Sequence, residues 1–140
     1  MLIRDARAQD SPSLARLLDQ LGYPSSAEDV ERRLRRLADA GDSVLVAEEN
    51  GAVVGLAGLH VSRSLEHDSD AGKVSAIVVD EAHRRRGIGQ ALLEAVEREA
   101  RARGCGLLFL TTAERRKDAH EFYRRIGLEE TGRRFAKWLE

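Results

Sequence analysis

A strand, an arginine-rich turn with two glycines and an amphipathic helix follow one another between residues 74 and 103. The strand is predicted over Val74–Val79, because an almost continuous apolar run is typical of a strand covered on both faces. The helix is predicted over Ile88–Arg103, where apolar side chains recur at positions i, i+4, i+7 and i+8. A buried strand that leads through a tight turn into such a helix indicates a mixed α/β fold.

The turn between this strand and this helix has the residue types of an anion-binding loop. Gly87 and Gly89 allow the backbone to approach a ligand closely, and the first N–H groups of a helix have no acceptor within it. The run Arg84–Arg86 adds positive charge, so a polyphosphate is the expected ligand. A dinucleotide fingerprint would need a third glycine where Leu92 stands, and a Walker loop would need a Gly-Lys-Ser/Thr ending. An ordinary strand-to-helix turn fits the same two glycines, so the turn alone leaves both interpretations open.

The rest of the chain alternates between strand-like and helix-like patterns, without repeats or linkers. Asn50–Gly51 joins two β-rich runs and is a strong hairpin signal. A first helix begins around Pro12, and a second is predicted to begin at Ser25, with Glu28 completing a capping box. The polar stretch Ser62–Gly72 is predicted to be a loop. The predicted strands are Leu2–Asp5, Ser43–Glu48, Ala52–Val61, Val74–Val79, Leu107–Thr111 and Arg134–Leu139, and the four predicted helices end near Leu21, Gly41, Arg103 and Ile126.

Length and composition narrow the classes of protein to be considered. A chain of 140 residues is the size of one domain and can bury a core without a disulfide or a metal. Lysine and arginine number 23 against 24 acidic residues, and aromatic residues make up 4%, so binding to nucleic acid through the arginine runs is not expected. The single Cys105 can form neither an internal disulfide nor a cysteine-only metal site. No apolar stretch would span a bilayer and no signal-like region begins the chain, so a cytoplasmic protein without membrane contact is expected.

Two segments together resemble the motifs of a known enzyme family. Arg84–x–x–Gly87–x–Gly89, between its strand and its helix, resembles the acetyl-CoA signature of the GNAT superfamily of acyltransferases. The downstream run Ala119–Leu128 resembles the second motif of that superfamily, and the order of predicted elements is similar over essentially the whole chain. The resemblance implies a single N-acetyltransferase domain over residues 1–140. Its mixed α/β fold would have a central, mostly antiparallel sheet of six to seven strands, splayed after the fourth strand and flanked by about four helices.

The resemblance also implies a reaction and assigns residues to it. Acetyl-CoA, the expected cosubstrate, would pair its pantetheine with the signature strand at Ile77, Val78 and Val79. A primary amine would attack the thioester directly, with a backbone donor near Val79 for the oxyanion. Tyr123 of the second motif would protonate the leaving thiolate, since a phenol is protonated at neutral pH. The pyrophosphate would lie on the amides of Arg84, Arg85, Arg86, Gly87, Ile88, Gly89 and Gln90.

Other features of the second motif and the signature strand leave alternatives open. Tyr123 also fits a purely structural role, because Ala119, Phe122, Tyr123 and Ile126 form a helical apolar stripe. Many members of the superfamily carry an asparagine that contacts the cofactor where this chain has Arg116, which is a candidate phosphate contact instead. Members also often carry a proton-relaying glutamate on the signature strand. The residues of this chain in that region are Lys73, Ser75 and Ala76.

The base that accepts the proton of the attacking amine therefore has to come from elsewhere, because an ammonium ion is not a nucleophile. His60, at the end of the preceding strand, is the leading candidate, since a strand end is better fixed than a loop. A packed or merely exposed histidine is the alternative interpretation of His60. The remaining candidates, acting directly or through water, are Glu66, His67, Asp68 and Asp70.

Three shorter segments are similar to aminoalkylphosphonate N-acetyltransferases: Gly58–His60, Lys117–His120 and Arg134–Lys137. Members of that group acetylate small aminophosphonates and can depend on a divalent metal. The group's histidine-rich loop and strand glutamates are reduced here to His60 and His67, so no metal is predicted. The expected acceptor is a small-molecule or protein amine, bound by the first two helices and the loop before the signature strand. Homodimers are common in the superfamily, and a module that binds acyl-CoA without turnover is the alternative function.

Overall fold

A sheet of five strands is the centre of the fold in the part of the chain that the computed structural model describes, residues 1–111, 117–132 and 135–139. The strands are β1 (Leu2–Asp5), β2 (Ser43–Glu49), β3 (Ala52–Ser62), β4 (Asp70–Val79) and β5 (Cys105–Phe109), and they lie side by side in chain order. The first four are antiparallel and β5 is parallel to β4. The α-helices within these residues are α1 (Ser11–Leu21), α2 (Ala27–Asp39), α3 (Ile88–Ala102) and α4 (Lys117–Arg125).

Local sequence signals account for several of these boundaries. The β2–β3 hairpin turns at Asn50–Gly51, whose φ values of 52° and 80° match the left-handed conformation that this dipeptide favours. Helix α2 is capped by Ser26, whose Oγ accepts the Asp29 N–H at 3.0 Å, while Asp29 Oδ2 accepts the Ser26 N–H at 3.3 Å. The capping box thus lies one residue later than the predicted pair Ser25 and Glu28. Both pairs have the same spacing, so spacing alone could not distinguish them.

Helices cover both faces of the sheet. On one face α3 packs its apolar stripe against the strands, and on the other face α1 and α2 do the same. The first face buries Leu59, Val74, Leu92 and Val96, and the second buries Leu14, Leu17, Val30, Val46 and Leu56. Because each face of the central strands is covered, the strands read as nearly continuous apolar runs in the sequence.

Strands β4 and β5 separate part of the way along their length. β5 pairs with Asp70–Lys73 of β4, and in the described structure residues 74–79 pair with β3 alone. Pairing with two neighbours also explains why β4 begins at Asp70, inside the predicted loop Ser62–Gly72, so that the connection shrinks to residues 63–69. A bulge in β4 adds to the irregularity, since Ser75 is the extra residue opposite Gly58 and Leu59. The splay expected after the fourth strand is therefore present, and among the described residues it leaves one edge of β4 unpaired.

The expectation of six to seven strands is wrong for the described residues. The sixth strand was predicted over Arg134–Leu139, of which Arg134 lies outside the described residues, and residues 135–139 form no strand. Strand-like composition is not sufficient, because a strand also needs a neighbouring edge and a surface on which to bury its side chains. The large apolar side chains here remain exposed, at 92% for Phe135, 93% for Trp138 and 89% for Leu139.

Candidate functional site

The separation of β4 from β5 opens into a cavity of about 1400 Å³. Its walls come from the end of β4, the turn after it, α3 as far as Glu97, β5, α4 and the end of α1. All the residues predicted to bind pantetheine line this cavity. Of the turn Arg84–Gln90, predicted to hold the pyrophosphate, every residue except Arg86 lines it. The predicted residues that line it are Ile77, Val78, Val79, Arg84, Arg85, Gly87, Ile88, Gly89 and Gln90. We call this space the first cavity.

The backbone of the turn between β4 and α3 is suited to binding an anion. Arg85 and Gly87 have positive φ values of 66° and 79°, which bend the chain sharply into the helix. The Ala91 N–H donates to Gly87 O at 3.0 Å and closes the first turn of α3. The N–H groups of residues 88–90 therefore have no acceptor within the helix, and the positive end of the helix dipole coincides with them.

Gly89 faces α4 across the first cavity. A Cβ atom at this position would lie 3.4 Å from the Phe122 ring and 3.6 Å from Val79 Cγ2. A methyl group would thus just fit, whereas a larger side chain would extend into the space between the turn and α4. These are ordinary contact distances, so the absence of a side chain matters at Gly89 only toward groups larger than a methyl.

The three arginines of the turn have different surroundings. Arg84 and Arg85 line the first cavity, and Arg84 Nε donates to Val79 O at 3.3 Å. Arg86 does not line it, because Arg86 Nη1 lies 3.8 Å from Glu49 Oε2 on the β2–β3 hairpin. Two arginines thus raise the positive potential of the cavity, and the third links the turn to the sheet.

Asp80, directly after β4, connects the turn to α1 and is a site residue that the sequence analysis missed. It is 6% exposed, and Arg16 Nη1 and Gln20 Nε2 of α1 both donate to Asp80 Oδ1 at 2.7 Å. His83 Nδ1 lies 2.7 Å from Asp80 Oδ2, and the Glu81 N–H donates to Gln20 Oε1 at 2.9 Å. Hydrogen bonds from Gln20, then His83 and Arg16, lower the pKa of Asp80 to about 2 from its ordinary 3.8. This network fixes the turn against α1.

Replacing Asp80 by asparagine should lower thermal stability in a pH-dependent way. The folded-state pKa of Asp80 is depressed, so its contribution is complete above pH 3.8 and is lost as the pH falls to about 2. We expect Asp80→Asn to melt about 5 °C below the unmodified protein at neutral pH. The difference in Tm should shrink between pH 4 and pH 2. Melting curves across that range measure it, with the exposed Asp68→Asn as control, and a difference that stays constant on acidification would contradict the assignment.

A second cavity of about 470 Å³ lies on the α1 and α2 side of the sheet. It is bounded by those two helices, by β4 around the bulge, and by residues 110 and 111 after β5. Ser75 of the bulge lines it, and its Oγ lies so close to Gly58 that a Cβ there would require the Ser75 side chain to move. The first two helices, which were predicted to bind the acceptor, thus line a cavity, whereas the connection 63–69 does not line it.

Tyr123 of α4 lines both cavities. It is 8% exposed and belongs to the core on the α3 side, with its ring 5.5 Å from the Phe122 ring in an edge-to-face arrangement. Ile77 of β4 is a second residue that lines both spaces. Tyr123 is therefore part of the apolar core, as the apolar stripe of its helix predicted. It also lies where a ligand in one cavity would contact a ligand in the other.

The chain matches the model of the acetyltransferase (GNAT) family over residues 11–128. It belongs to that family. An aminoalkylphosphonate N-acetyltransferase of Salmonella typhimurium is 33% identical to it over 98% of this chain and 90% of that protein. A GNAT family acetyltransferase of Staphylococcus aureus has the same fold, with a TM-score of 0.83, 22% identity, and coverage of 99% and 98%. An aminoglycoside N-acetyltransferase in complex with CoA also has it, with a TM-score of 0.86, 20% identity, and coverage of 99% and 93%.

Membership of the GNAT family confirms the resemblance seen in the sequence and makes the protein an acetyl-CoA-dependent acyltransferase. The residues of the first cavity fit that cosubstrate. The N–H groups at the start of α3 and the adjacent Arg84 and Arg85 suit a pyrophosphate, and the unpaired edge of β4 suits an extended amide-containing chain. Arg116, the candidate phosphate contact, lies outside the described residues.

His60 lies on β3, outside the linings of the first and second cavities. Its side chain is about half exposed, and its Nδ1 lies 2.8 Å from Asp42 Oδ1 in the connection between α2 and β2. His60 lines neither cavity. A direct transfer of a proton from an amine beside Tyr123 to His60 therefore has no support in the geometry, and its role as base stays a prediction that needs intervening water.

The other candidate bases are also remote from the described cavities. Glu66, His67 and Asp68 are exposed in the connection 63–69, and hydrogen bonds from its own backbone N–H and from Ser64 hold the pKa of Glu66 below its ordinary value. Asp70 lies in β4, where Arg63 Nε is 3.7 Å from its Oδ1. None of the four lines either cavity.

No group of three or more histidine, cysteine, aspartate or glutamate side chains within residues 1–111, 117–132 and 135–139 is arranged to hold a metal ion. Cys105 is a free thiol, and its burial raises its pKa. No helix in that same part of the chain has both the length and the apolar character that crossing a membrane would need.

Proposed function

We propose that the protein transfers the acetyl group of acetyl-CoA directly to a primary amine. In this reaction the amine nitrogen attacks the acetyl carbonyl carbon, a tetrahedral intermediate forms, and the carbon–sulfur bond then breaks. The thiolate of CoA takes its proton from the Tyr123 hydroxyl, the positively charged nitrogen of the tetrahedral intermediate gives up one proton to a base, and the Tyr123 oxygen regains a proton from solvent. The observation that carries the proposal is that Tyr123 lines both the first cavity and the second.

The residues that line each cavity decide which substrate we assign to it. In the proposal the first cavity holds acetyl-CoA, with the pyrophosphate on the turn Arg84–Gln90 and the pantetheine along Ile77, Val78 and Val79 of β4. A backbone N–H near Val79 stabilises the oxyanion, because an unpaired strand edge presents such donors toward the ligand. The second cavity holds the acceptor, and the two substrates meet beside Tyr123 and Ile77.

The proposal keeps His60 as the base, acting through water because it does not line the second cavity. Replacing His60 by alanine should shift or remove the acidic limb of the pH–rate profile, since a histidine acts as a base only in its neutral form. The profile of kcat/KM between pH 5 and pH 9 measures this effect. His67→Ala is measured beside it, because His67 is the other histidine among the candidate bases, and its acidic limb should stay in place if His60 is the base. An unchanged acidic limb in His60→Ala would pass the role to bulk water or to another group.

The test of the function as a whole is release of the CoA thiol from acetyl-CoA in the presence of a broad panel of primary amines. The expected result is amine-dependent release with formation of the N-acetyl product, detected by mass spectrometry. Tight binding of acetyl-CoA with no release against any amine would favour the alternative, a module that binds acyl-CoA without turnover. The observation that favours this alternative is that none of the predicted bases lines either cavity and that no described residue lining the second cavity is a histidine or a carboxylate.

A further inference from the structure

The second cavity has an unusually apolar lining for a site that would receive an amine. Its polar side chains are those of Tyr23, Arg33, Ser75, Thr111 and Tyr123, and every other described residue of the lining is apolar or glycine. The apolar part comes from leucines and valines of α1, α2 and β2 to β4. Its volume of about 470 Å³ is within the range of small-molecule sites, so an organic group several carbons in size would be well covered there.

No described residue of this lining is a carboxylate. An ammonium ion in the cavity would therefore be buried among apolar side chains without an anionic partner, which is costly. The neutral amine, which is also the nucleophilic form, is the form that fits. Recognition of the acceptor by its positive charge is thus disfavoured, and recognition by the rest of the molecule is favoured.

Arg33 of α2 is the one cation among the described residues of the lining. Its Nη1 donates to Ser25 Oγ at 2.7 Å, and within the described structure it makes no ion pair with a carboxylate. A guanidinium carries five N–H donors, so most of them are still available to an anionic ligand group. Arg33 lines the second cavity only, whereas Tyr123 lines both, so Arg33 belongs to the acceptor and not to acetyl-CoA.

We infer that the acceptor is a primary amine with an apolar body and one acidic group, an inference that rests on the proposed function. The apolar body lies between α1, α2 and β4, the amino group faces Tyr123, and the acidic group pairs with Arg33. Small polar amines without a hydrocarbon body would leave most of the cavity lining uncovered. They are therefore poor acceptors.

The apolar body is tested with a homologous series of straight-chain amines from propylamine to hexylamine, in which only the hydrocarbon length changes. Burial of one methylene is worth about a fourfold change in an equilibrium, so kcat/KM should rise about fourfold per methylene until the cavity is full. A series that is flat or falling would overturn the apolar body.

The acidic group is tested with phenylalanine and 6-aminohexanoate, whose amino and carboxylate groups are differently spaced, against phenylethylamine and hexylamine. Arg33→Met should raise KM for the better of the two amino acids about tenfold and change KM for the uncharged amines less than twofold. Arg36→Met is the matched control, because Arg36 is an exposed arginine of the same helix that lines neither cavity. Equal effects of the two substitutions would overturn the role of Arg33.

Failure of this inference can be told apart from failure of the proposed function. Faster turnover of 2-aminoethylphosphonate or ethanolamine than of hexylamine and phenylalanine would overturn the inference and leave the acetyl transfer intact. If no amine releases the thiol, the proposed function fails. Calorimetric titration of the alkylamines into the CoA-bound protein then decides the inference, since tighter binding of hexylamine than of propylamine supports it and equal binding overturns it.

Discussion

Replacing Tyr123 by phenylalanine is expected to lower kcat about 10²–10⁴-fold, the usual contribution of a positioned general acid. The substitution removes the hydroxyl and keeps the ring that packs against Phe122 in the core beside α3. Because the shape of the side chain is preserved, Tm and the affinity for acetyl-CoA should change little. Steady-state kinetics with a saturating amine, together with a melting curve, separate these effects.

Tyr23→Phe is the matched control for that experiment. Tyr23 also lines the second cavity, but it is largely exposed and does not line the first. Loss of its hydroxyl should therefore leave kcat within a few-fold of the unmodified protein. A well-folded Tyr123→Phe protein with full activity would show that Tyr123 is only a core residue, and the thiolate would then leave without a proton from this side chain.

Replacing Gly89 by valine should raise the apparent KM for acetyl-CoA about 10–100-fold. This is the range expected for loss of hydrogen bonds to a charged group. A Cβ atom at Gly89 would already lie 3.4 Å from the Phe122 ring, so the two further methyl groups of valine have to enter the first cavity. They would obstruct the path of a pyrophosphate along the start of α3. The acetyl-CoA concentration dependence of the rate and calorimetric titration with CoA measure the effect.

Two substitutions calibrate the result at Gly89. Gly89→Ala adds only the Cβ that the cavity accepts, so its effect should be several times smaller. Gly132→Val adds the same side chain at a position where the described structure has no atom within 4 Å of a Cβ apart from its chain neighbours, and acetyl-CoA binding should be unchanged. If Gly89→Val stays folded and binds acetyl-CoA normally, the phosphate-binding role of the turn is wrong.

Much of the fold follows from local sequence patterns. The strand, turn and helix around Gly87 form as the apolar periodicity predicts, and the Asn50–Gly51 hairpin forms because two residues with positive φ are needed there. The ends of helices and strands were predicted less accurately than their existence, since the capping box of α2 begins at Ser26 and not at the predicted Ser25. The prediction of a sixth strand was wrong because it rested on composition, and residues 135–139 pair with no strand of the described structure.

The site was predictable to the extent that it depends on contiguous sequence. The residues of the turn lie together because they are neighbours in the chain, but their partners come from distant positions. Asp80 binds Arg16 and Gln20, which are 64 and 60 residues away, and no local pattern pairs them. A buried strand followed at once by an aspartate was the available signal. His60 shows the same limit, because its position at a strand end gave no information on which direction its side chain would face.

The unpaired edge of β4 also affects how the protein behaves in solution. Residues 74–79 read Val-Ser-Ala-Ile-Val-Val, a segment with high strand propensity, no charge, no proline and no glycine. Such a segment with a bare edge is a template on which another chain can add a strand, and natural sheets usually protect it. Under the proposed binding mode the pantetheine arm provides that protection. Protein stripped of its cosubstrate should therefore self-associate on concentration or warming, and adding CoA during purification should keep it dispersed.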